Sequence, residues 1–274
     1  ILPHHTKWVS LFENLKYIVI DELHTYKGVF GSHVAHVIRR LLRICEFYGS
    51  KPIFICTSAT IKNPKELAES LTNSEHELIE KSGAPVGKKT FIFYNPPIVH
   101  PTFGVRRSAV LEVRDISKRL FEAGIQTIIF AKSRVRVEML VTYLKSLTSK
   151  KIMDESIQGY RGGYLPSERR EIEKGLRSGS IQMVVSTNAL ELGVYIGQLQ
   201  ACIMTGYPGN IASAWQQAGR AGRRQDEALI VYVAQSTALD QYVVQNPSYL
   251  LGSSPEEARI NPENILILME HLKC

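Results

Sequence analysis

Two adjacent carboxylates close an apolar run near the start of the chain: Tyr17-Ile18-Val19-Ile20 leads directly into Asp21-Glu22-Leu23-His24. A short β-branched run reads as a buried parallel strand whose carboxyl end carries the acids outward. Open α/β sheets bind their ligands beyond that end. A pair of acids there suits a magnesium-nucleotide site, with one holding the ion and the other steering a water at the terminal phosphate. Taken alone, the tetrapeptide also reads as a helix cap. A second string, Gln216-Gln217-Ala218-Gly219-Arg220-Ala221-Gly222-Arg223-Arg224, sets two guanidiniums three residues apart on a Gly-loosened segment. Such groups neutralise the charge that develops on a transferring γ-phosphoryl group. The plain alternative is a basic surface loop. The order of the two strings, in separate α/β segments, places a phosphate sensor across a cleft from a metal site.

The elements that must position these residues alternate between strand and helix, the mark of a parallel sheet covered on both faces. The first strand is Tyr17 to Ile20, followed by a helix over about 32–48 that ends at Gly49. A second strand, Ile53 to Cys56, runs into Thr57-Ser58-Ala59-Thr60, and Asn63-Pro64 opens a short helix through about Leu71. Strand Phe91 to Tyr94 then meets Asn95-Pro96-Pro97, which places a domain boundary there. The alternation restarts with a helix over about 108–123, strand Thr127 to Phe130, a helix over 135–147 and strand Ser156 to Tyr160. A helix opened by Pro166, strands at 181–185 and 201–205, a helix at 211–218 and strand 229–233 complete a second α/β domain. The expected partition is therefore 1–95, a linker at 96–107, a second domain at 108–236, and the opening of a further region at 237–274, broken by Pro247, Pro255 and Pro262.

The 274 residues, 44% apolar and 22% charged, are those of a soluble globular protein. No apolar stretch approaches the ~20 residues that span a bilayer. Four scattered cysteines (Cys45, Cys56, Cys202, Cys274) form neither a metal-ligand pair nor a disulfide framework, so a reducing cytoplasm is the expected setting. The start, Ile1-Leu2-Pro3-His4-His5, has neither a signal peptide nor an initiator Met, which reads as a fragment beginning inside a domain. A net charge of +7 and a pI near 9.2 tilt toward a polyanionic partner.

The ordered strings DELH, SAT (Ser58 to Thr60), TIIFAKSR (Thr127 to Arg134), STNALELG (Ser186 to Gly193) and QQAGRAGR resemble motifs II to VI of superfamily 2 DEAD/DEAH-like helicases. The resemblance extends to the bacterial mitomycin repair factor A family, relatives of the RecQ-like helicases, through DELHTYKGVFGSHVAHVIRRL, YRGGYLPSERREIEKGL and the tail, and it covers essentially the whole chain. It implies two RecA-like parallel-sheet domains, the first incomplete at its N-terminus, and a monomeric ATP-dependent DNA helicase acting in repair on DNA with a single-stranded tail. By the same resemblance Asp21 would hold Mg2+, and Glu22 would position and deprotonate the attacking water. His24 would couple the nucleotide site to the SAT segment and to Gln216, while Ser58 and Thr60 would link hydrolysis to domain movement. Arg220 and Arg223 would sense the γ-phosphate, with Arg223 as the finger. Thr187, Asn188 and Gly193 would touch nucleic acid and nucleotide. Lys132, Ser133, Arg134 and the Tyr160-Arg161-Gly162 turn would contact the phosphate backbone, a task that fixes position without reading sequence.

Two departures stand out. The Gly-Lys-Ser/Thr phosphate loop that such enzymes carry upstream of the acids has no counterpart before Asp21. The decoy at Gly83 to Thr90 reads as a turn into the next strand, so the fragment alone is expected neither to bind ATP tightly nor to hydrolyse it. Tyr195 stands where motif V usually carries an acid, and it lacks a charged acceptor. A translocase that does not unwind, and a silent nucleic-acid-binding module, stay open beside the helicase. Arg39, Arg40 and Arg43 form a basic helix face that could meet DNA or simply face solvent. His33 and His36 lie one turn apart with no third metal ligand in the sequence pattern. Trp215 suits either base stacking or packing under the arginine loop. By resemblance, Cys274 would begin a downstream zinc-binding set.

Overall fold

The computed structural model describes the chain except for residues 60, 82, 84–86, 147–154, 192, 195, 198, 223–226 and 274. It divides into two compact units, Ile1–Ser82 with Ser254–Cys274, and Gly83–Ser253.

In the first unit β1 (Tyr17–Ile20) and β2 (Ile53–Cys56) pair in parallel, Tyr17 opposite Ile53 and Ile20 opposite Cys56. They follow a 3-10 segment (Leu2–Trp8) and a short helix α1 (Val9–Glu13). The crossover between the strands is α2 (Gly28–Phe47), and α3 (Pro64–Thr72) follows β2. Side chains alternate across a strand, so Ile18, Ile20, Phe54 and Cys56 pack with Ala35, Ile38, Leu67 and Leu71. The opposite face, Tyr17, Val19, Ile53 and Ile55, is exposed. The expectation of a fully buried first strand is therefore corrected: the strand is parallel but covered on one side, with Ile20 its one buried residue.

The second unit has a six-stranded sheet whose hydrogen-bonded neighbours are all parallel. It contains β3 (Lys89–Tyr94), β6 (Thr127–Phe130), β7 (Ile157–Tyr160), β8 (Met183–Ser186), β9 (Ala201–Thr205) and β10 (Ala228–Val233), in the order β3-β10-β9-β6-β8-β7. A small hairpin of β4 (Ile98–His100) and β5 (Val105–Arg106) stands apart from it. The helices are α4 (Ala109–Glu122), α5 (Arg134–Ser146), α6 (Pro166–Ser178), α7 (Ile211–Ala218), α8 (Ala238–Gln245) and α9 (Ser248–Leu251). Ile128, Val184, Cys202 and Ile230 join one core, with Ile172, Leu176 and Ala214 from α6 and α7. Ile129, Val185, Ile203 and Val231 join the other, with Val113, Phe121, Val137 and Leu140 from α4 and α5. Strands buried on both faces need the continuous apolar runs that this sequence supplies.

The partition expected from the sequence changes at both ends. The strand after residue 88 pairs along its whole length with β10, from Lys89 opposite Ala228 to Tyr94 opposite Val233, and so belongs to the second sheet. Asn95-Pro96-Pro97 does end that strand, but inside the second unit. Proline marks a stop in regular structure, and the hydrogen-bond partner decides which unit a strand joins. Residues from Ser254 onward return to the first unit and close with α10 (Ile265–Leu272). Gly28 N–H donates to the Arg259 carbonyl at 2.7 Å, and Asn261 N–H donates to Ser32 Oγ at 2.9 Å. Asn63, the expected cap of α3, instead brackets Ala258, donating to its carbonyl at 3.0 Å and accepting from its N–H at 2.9 Å. His33 meets a histidine from this segment: its Nδ1 lies 2.9 Å from His271 Nε2.

Candidate functional site

The acids stand where the strand directs them. The chain leaves β1 at Ile20, and Glu22 turns it with a left-handed backbone (φ 52°, ψ 47°). A non-glycine residue held there is strained, and such strain concentrates at functional turns. The turn is fixed from the neighbouring strand: Thr57 N–H donates to the Ile20 carbonyl at 2.9 Å, and Leu23 N–H to the Thr57 carbonyl at 2.8 Å. Asp21 is exposed, and its Oδ1 accepts from the Thr57 hydroxyl and, at 2.9 Å, from Glu22 N–H. Those two bonds, the hydroxyl foremost, hold the carboxyl below its usual range, so it is a stable anion at the strand tip. His24 is buried under the same turn, and its Nδ1 accepts the Ala59 N–H at 3.2 Å. The Glu22 carboxylate lies 3.5 Å from that nitrogen. A nitrogen that accepts the Ala59 proton is unprotonated, so this contact is not an ion pair. Asp21, Glu22, His24 and the start of the SAT segment thus form one bonded cluster, in which the Ser58 hydroxyl donates to the Ala59 carbonyl at 2.9 Å. Thr60 lies outside the described residues. Sequence reasoning missed Thr57, whose place one residue past β2 and beside the acids was the available signal.

In the second unit a polar crevice of about 440 Å3 opens beyond the carboxyl ends of β6, β8 and β9. The strand order reverses direction at β6, the position where α/β sheets form ligand crevices. Lys132 and Asn188 line it, as do the buried Glu191, Thr205 and Gln217. Gln217 Nε2 donates to Glu191 at 3.0 Å, and Thr205 Oγ1 is buried without a hydrogen-bond partner among the described residues. Ser133 and Arg134 are exposed at the start of α5, where Ser133 Oγ accepts the Arg136 N–H at 3.3 Å. Thr187 Oγ1 accepts from Ala189 N–H, and Gly193 takes a left-handed φ of 67°. Glu191, Thr205 and Gln217 were not among the residues singled out from the sequence; each is an ordinary polar residue until the topology brings the three strand ends together.

Several expected residues are committed elsewhere. Tyr160 is 2% exposed and donates its hydroxyl to Glu173 at 2.7 Å; burial, then Glu173, pushes its pKa up to about 12. Its side chain belongs to the core, which corrects its expected contact with a phosphate backbone. Arg161 is bound by Glu138 at 2.6 Å and lies 4.8 Å from the Tyr164 ring centroid. Arg134 flanks the same turn: a Cβ built on Gly162 would stand 3.5 Å from its guanidinium. Arg220 is spent on the motif V loop, donating to the Glu191 carbonyl at 2.6 and 3.1 Å and to the Val194 carbonyl at 2.9 Å. Gln216 precedes it on α7, half-buried. Trp215 packs under this segment, edge-on to Phe91 at 5.5 Å and donating to the Leu250 carbonyl at 3.2 Å, the structural of its two expected fates. Lys89, the decoy-loop lysine, opens β3 and donates to the Ala218 carbonyl at 3.4 Å. Arg223, Tyr195 and Cys274 lie outside the described residues. Among the described residues no three His, Cys, Asp or Glu side chains gather as metal ligands, and no helix is long and apolar enough to cross a membrane.

Two family models match, DEAD/DEAH box helicase over residues 1–67 and helicase conserved C-terminal domain over residues 112–225. These two stretches are thus similar to the two conserved parts of DEAD/DEAH-box helicases. It is 67% identical over its whole length to the uncharacterized ATP-dependent helicase YprA of Bacillus subtilis, of which it covers 37%. It is 39% identical, again over its whole length, to the ATP-dependent helicase HRQ1 of Saccharomyces cerevisiae, of which it covers 26%. A crystal structure of the DUF1998 helicase MrfA bound to DNA and AMPPNP matches with a TM-score of 0.96 at 67% identity, over all of this chain and 38% of that one. The chain thus spans roughly a quarter to two-fifths of the relatives it matches. Both units carry RecA-like α/β folds.

Proposed function

We propose that this chain is the motif II to VI portion of an ATP-driven DNA helicase that serves DNA repair, a nucleic-acid-stimulated ATPase with ATP and Mg2+ as cofactors. One observation carries the reading. His24 Nδ1 receives the Ala59 N–H, so the DELH turn and the SAT segment are bonded into one element at the carboxyl edge of a parallel pair. That is the arrangement a site needs if a change at the phosphate is to be felt by the segment after β2. The DNA and AMPPNP named with the MrfA structure are the ligands this reading carries over.

The residues present fit magnesium. The ion takes oxygen ligands and is commonly held by one or two carboxylates with waters and phosphates, and Asp21 is an exposed, ionised carboxylate at the strand tip. Bound there through Asp21, the ion would neutralise phosphate charge during transfer. Glu22, half-buried and held forward by the left-handed turn, orients the attacking water and takes its proton. His24 transmits the state of the turn to Ser58 and Thr60. Arg223 supplies the guanidinium for the γ-phosphate, and Arg220 keeps the motif V loop in register with it. Lys132, Ser133, Arg134, Asn188 and Thr187 hold backbone phosphates of one strand at the β6–β8 edge, with Arg161 and Gly162 beside them.

Steady-state ATP hydrolysis by the product of the full coding sequence tests this. Single-stranded DNA is expected to raise turnover, and Glu22→Gln to lower it by about a hundredfold or more, as loss of a general base does. Strand displacement separates a helicase from a translocase that only moves along its track. Turnover that ignores DNA, or ignores Glu22→Gln, would leave a nucleic-acid-binding module without a motor.

A further inference from the structure

A cavity of about 800 Å3 in the first unit combines cationic and apolar walls away from the acid turn. His5 from the 3-10 segment, Arg40, Arg43 and Phe47 from α2, and His271 and Leu272 from α10 line it. Arg40 and Arg43 are one helical turn apart, which sets their Cβ atoms about 5–6 Å from each other. Among the described residues neither makes an ion pair. Two nitrogens of this wall, Arg40 Nε and His271 Nδ1, are buried with no hydrogen-bond partner among the described residues. An unpaired buried guanidinium N–H is costly, and an anionic oxygen is the group that would satisfy the one on Arg40.

The wall is built rather than accidental. His271 is fixed from two sides, by the 2.9 Å contact of its Nε2 with His33 Nδ1 and by stacking on His36 at 4.8 Å. His36 is itself anchored by a 2.7 Å contact with the Pro262 carbonyl. The three rings do not converge on one point: one nitrogen of His36 is taken by that carbonyl and its ring lies flat on His271, so a metal centre is not formed. The apolar part of the cavity is unusual for a merely solvated basic face. Phe47 is 76% exposed and Leu272 75% exposed, beside the arginines.

We propose that this cavity binds a nucleotide unit, its phosphate on Arg40 and Arg43 and its base against Phe47 and Leu272. Guanidinium forks match phosphate oxygens in pairs, and an aromatic side chain gives a base a sequence-tolerant platform. An acidic peptide would use the charge but leave the flat apolar wall unexplained. The nucleotide comes either from a nucleic-acid strand or from the free pool, and the site is independent of the motor residues.

Photocross-linking of this chain with a 4-thiothymidine oligonucleotide and, separately, with 4-thio-dTMP tests the assignment, read by peptide mass mapping alongside anisotropy titrations. The cross-link is expected at Phe47 or Leu272, and to persist in Lys132→Ala, which keeps the outcome separate from that of the motor reading. Arg40→Ala with Arg43→Ala is expected to lower the salt slope of oligonucleotide binding by about 0.7, the value for one phosphate contact on a single strand. The matching lysine pair is expected to restore the slope. Phe47→Ala, an exposed substitution that does not threaten the fold, should weaken binding by about tenfold with no change in slope. Labelling by both probes assigns the free nucleotide as well as the strand, and labelling by the oligonucleotide alone assigns the strand. Absence of any cross-link in this cavity, or displacement of the oligonucleotide by poly-glutamate at equal concentration, overturns the proposal.

Discussion

Arg220 offers a sharp test, because the sequence pattern and the fold give it different work. In the pattern it is a phosphate sensor; in the folded chain its guanidinium makes three hydrogen bonds to the carbonyls of Glu191 and Val194. A hydrogen bond from a charged donor contributes about 1.5–3 kcal/mol when buried, but Arg220 is half-exposed and water can replace part of that. Arg220→Ala is therefore expected to cost the second unit about 2–3 kcal/mol. In a unit of this size each kcal/mol lowers the melting temperature by roughly 2–4 °C, so the variant should melt about 5–10 °C lower in a calorimetric scan without any ligand. Arg220→Lys, which can reach only one carbonyl, should recover about a third of that loss. An Arg220→Ala protein that melts within a degree of the parent yet no longer responds to nucleotide would refute the clamp and return Arg220 to the phosphate.

Other consequences follow from particular contacts. Asp240 is fully buried with no ion-pair partner among the described residues, and accepts from Tyr207 N–H and the Tyr232 hydroxyl, both at 2.6 Å, and from the Thr237 hydroxyl at 2.9 Å. Asp240→Ala strands two buried donors, the Tyr207 N–H and the Tyr232 hydroxyl, and should cost about 2 kcal/mol or more in urea unfolding; a loss under ~1 kcal/mol would refute that cost. Gly31→Ala would put a Cβ 2.5 Å from Ile260 Cγ2 and 2.6 Å from the Tyr26 carbonyl. It should destabilise by about 1–3 kcal/mol and speed amide exchange at Gly28, whose proton is held by Arg259. Glu257 bonds Lys62 at 2.8 Å and Arg259, and those partners pull its pKa from 4.5 to about 2. A depressed folded-state value means that this attachment is complete above about pH 4.5 and is lost only as the pH falls toward 2. A carboxyl-carbon titration by NMR should show that low midpoint; an ordinary one would show that the pair does not persist in solution.

The elements were legible because period and punctuation agree. Strands 17–20, 53–56, 127–130 and 201–205 and the helix at 211–218 were placed residue for residue. The site was legible only as a set of strings. Asp21, Glu22 and His24 could be read from their place after β1, yet Thr57, which polarises Asp21, emerges only from strand pairing. Tyr160 looked polar enough for a phosphate, and its neighbours in space put it in the core. The destination of β3 depended on a partner more than a hundred residues away, and no local pattern carries that information. The pairing of His33 with His271 is hidden for the same reason.

The bare face of the first unit has a practical side. Tyr17, Val19, Ile53 and Ile55 are between 46% and 63% exposed on one face of the two-stranded ribbon. Neither Pro nor Lys interrupts β1 or β2 to discourage a neighbour from adding on. Purified at high concentration, the chain should gather with copies of itself through that ribbon, as larger particles in light scattering that a lysine at Val19 or Ile55 would disperse.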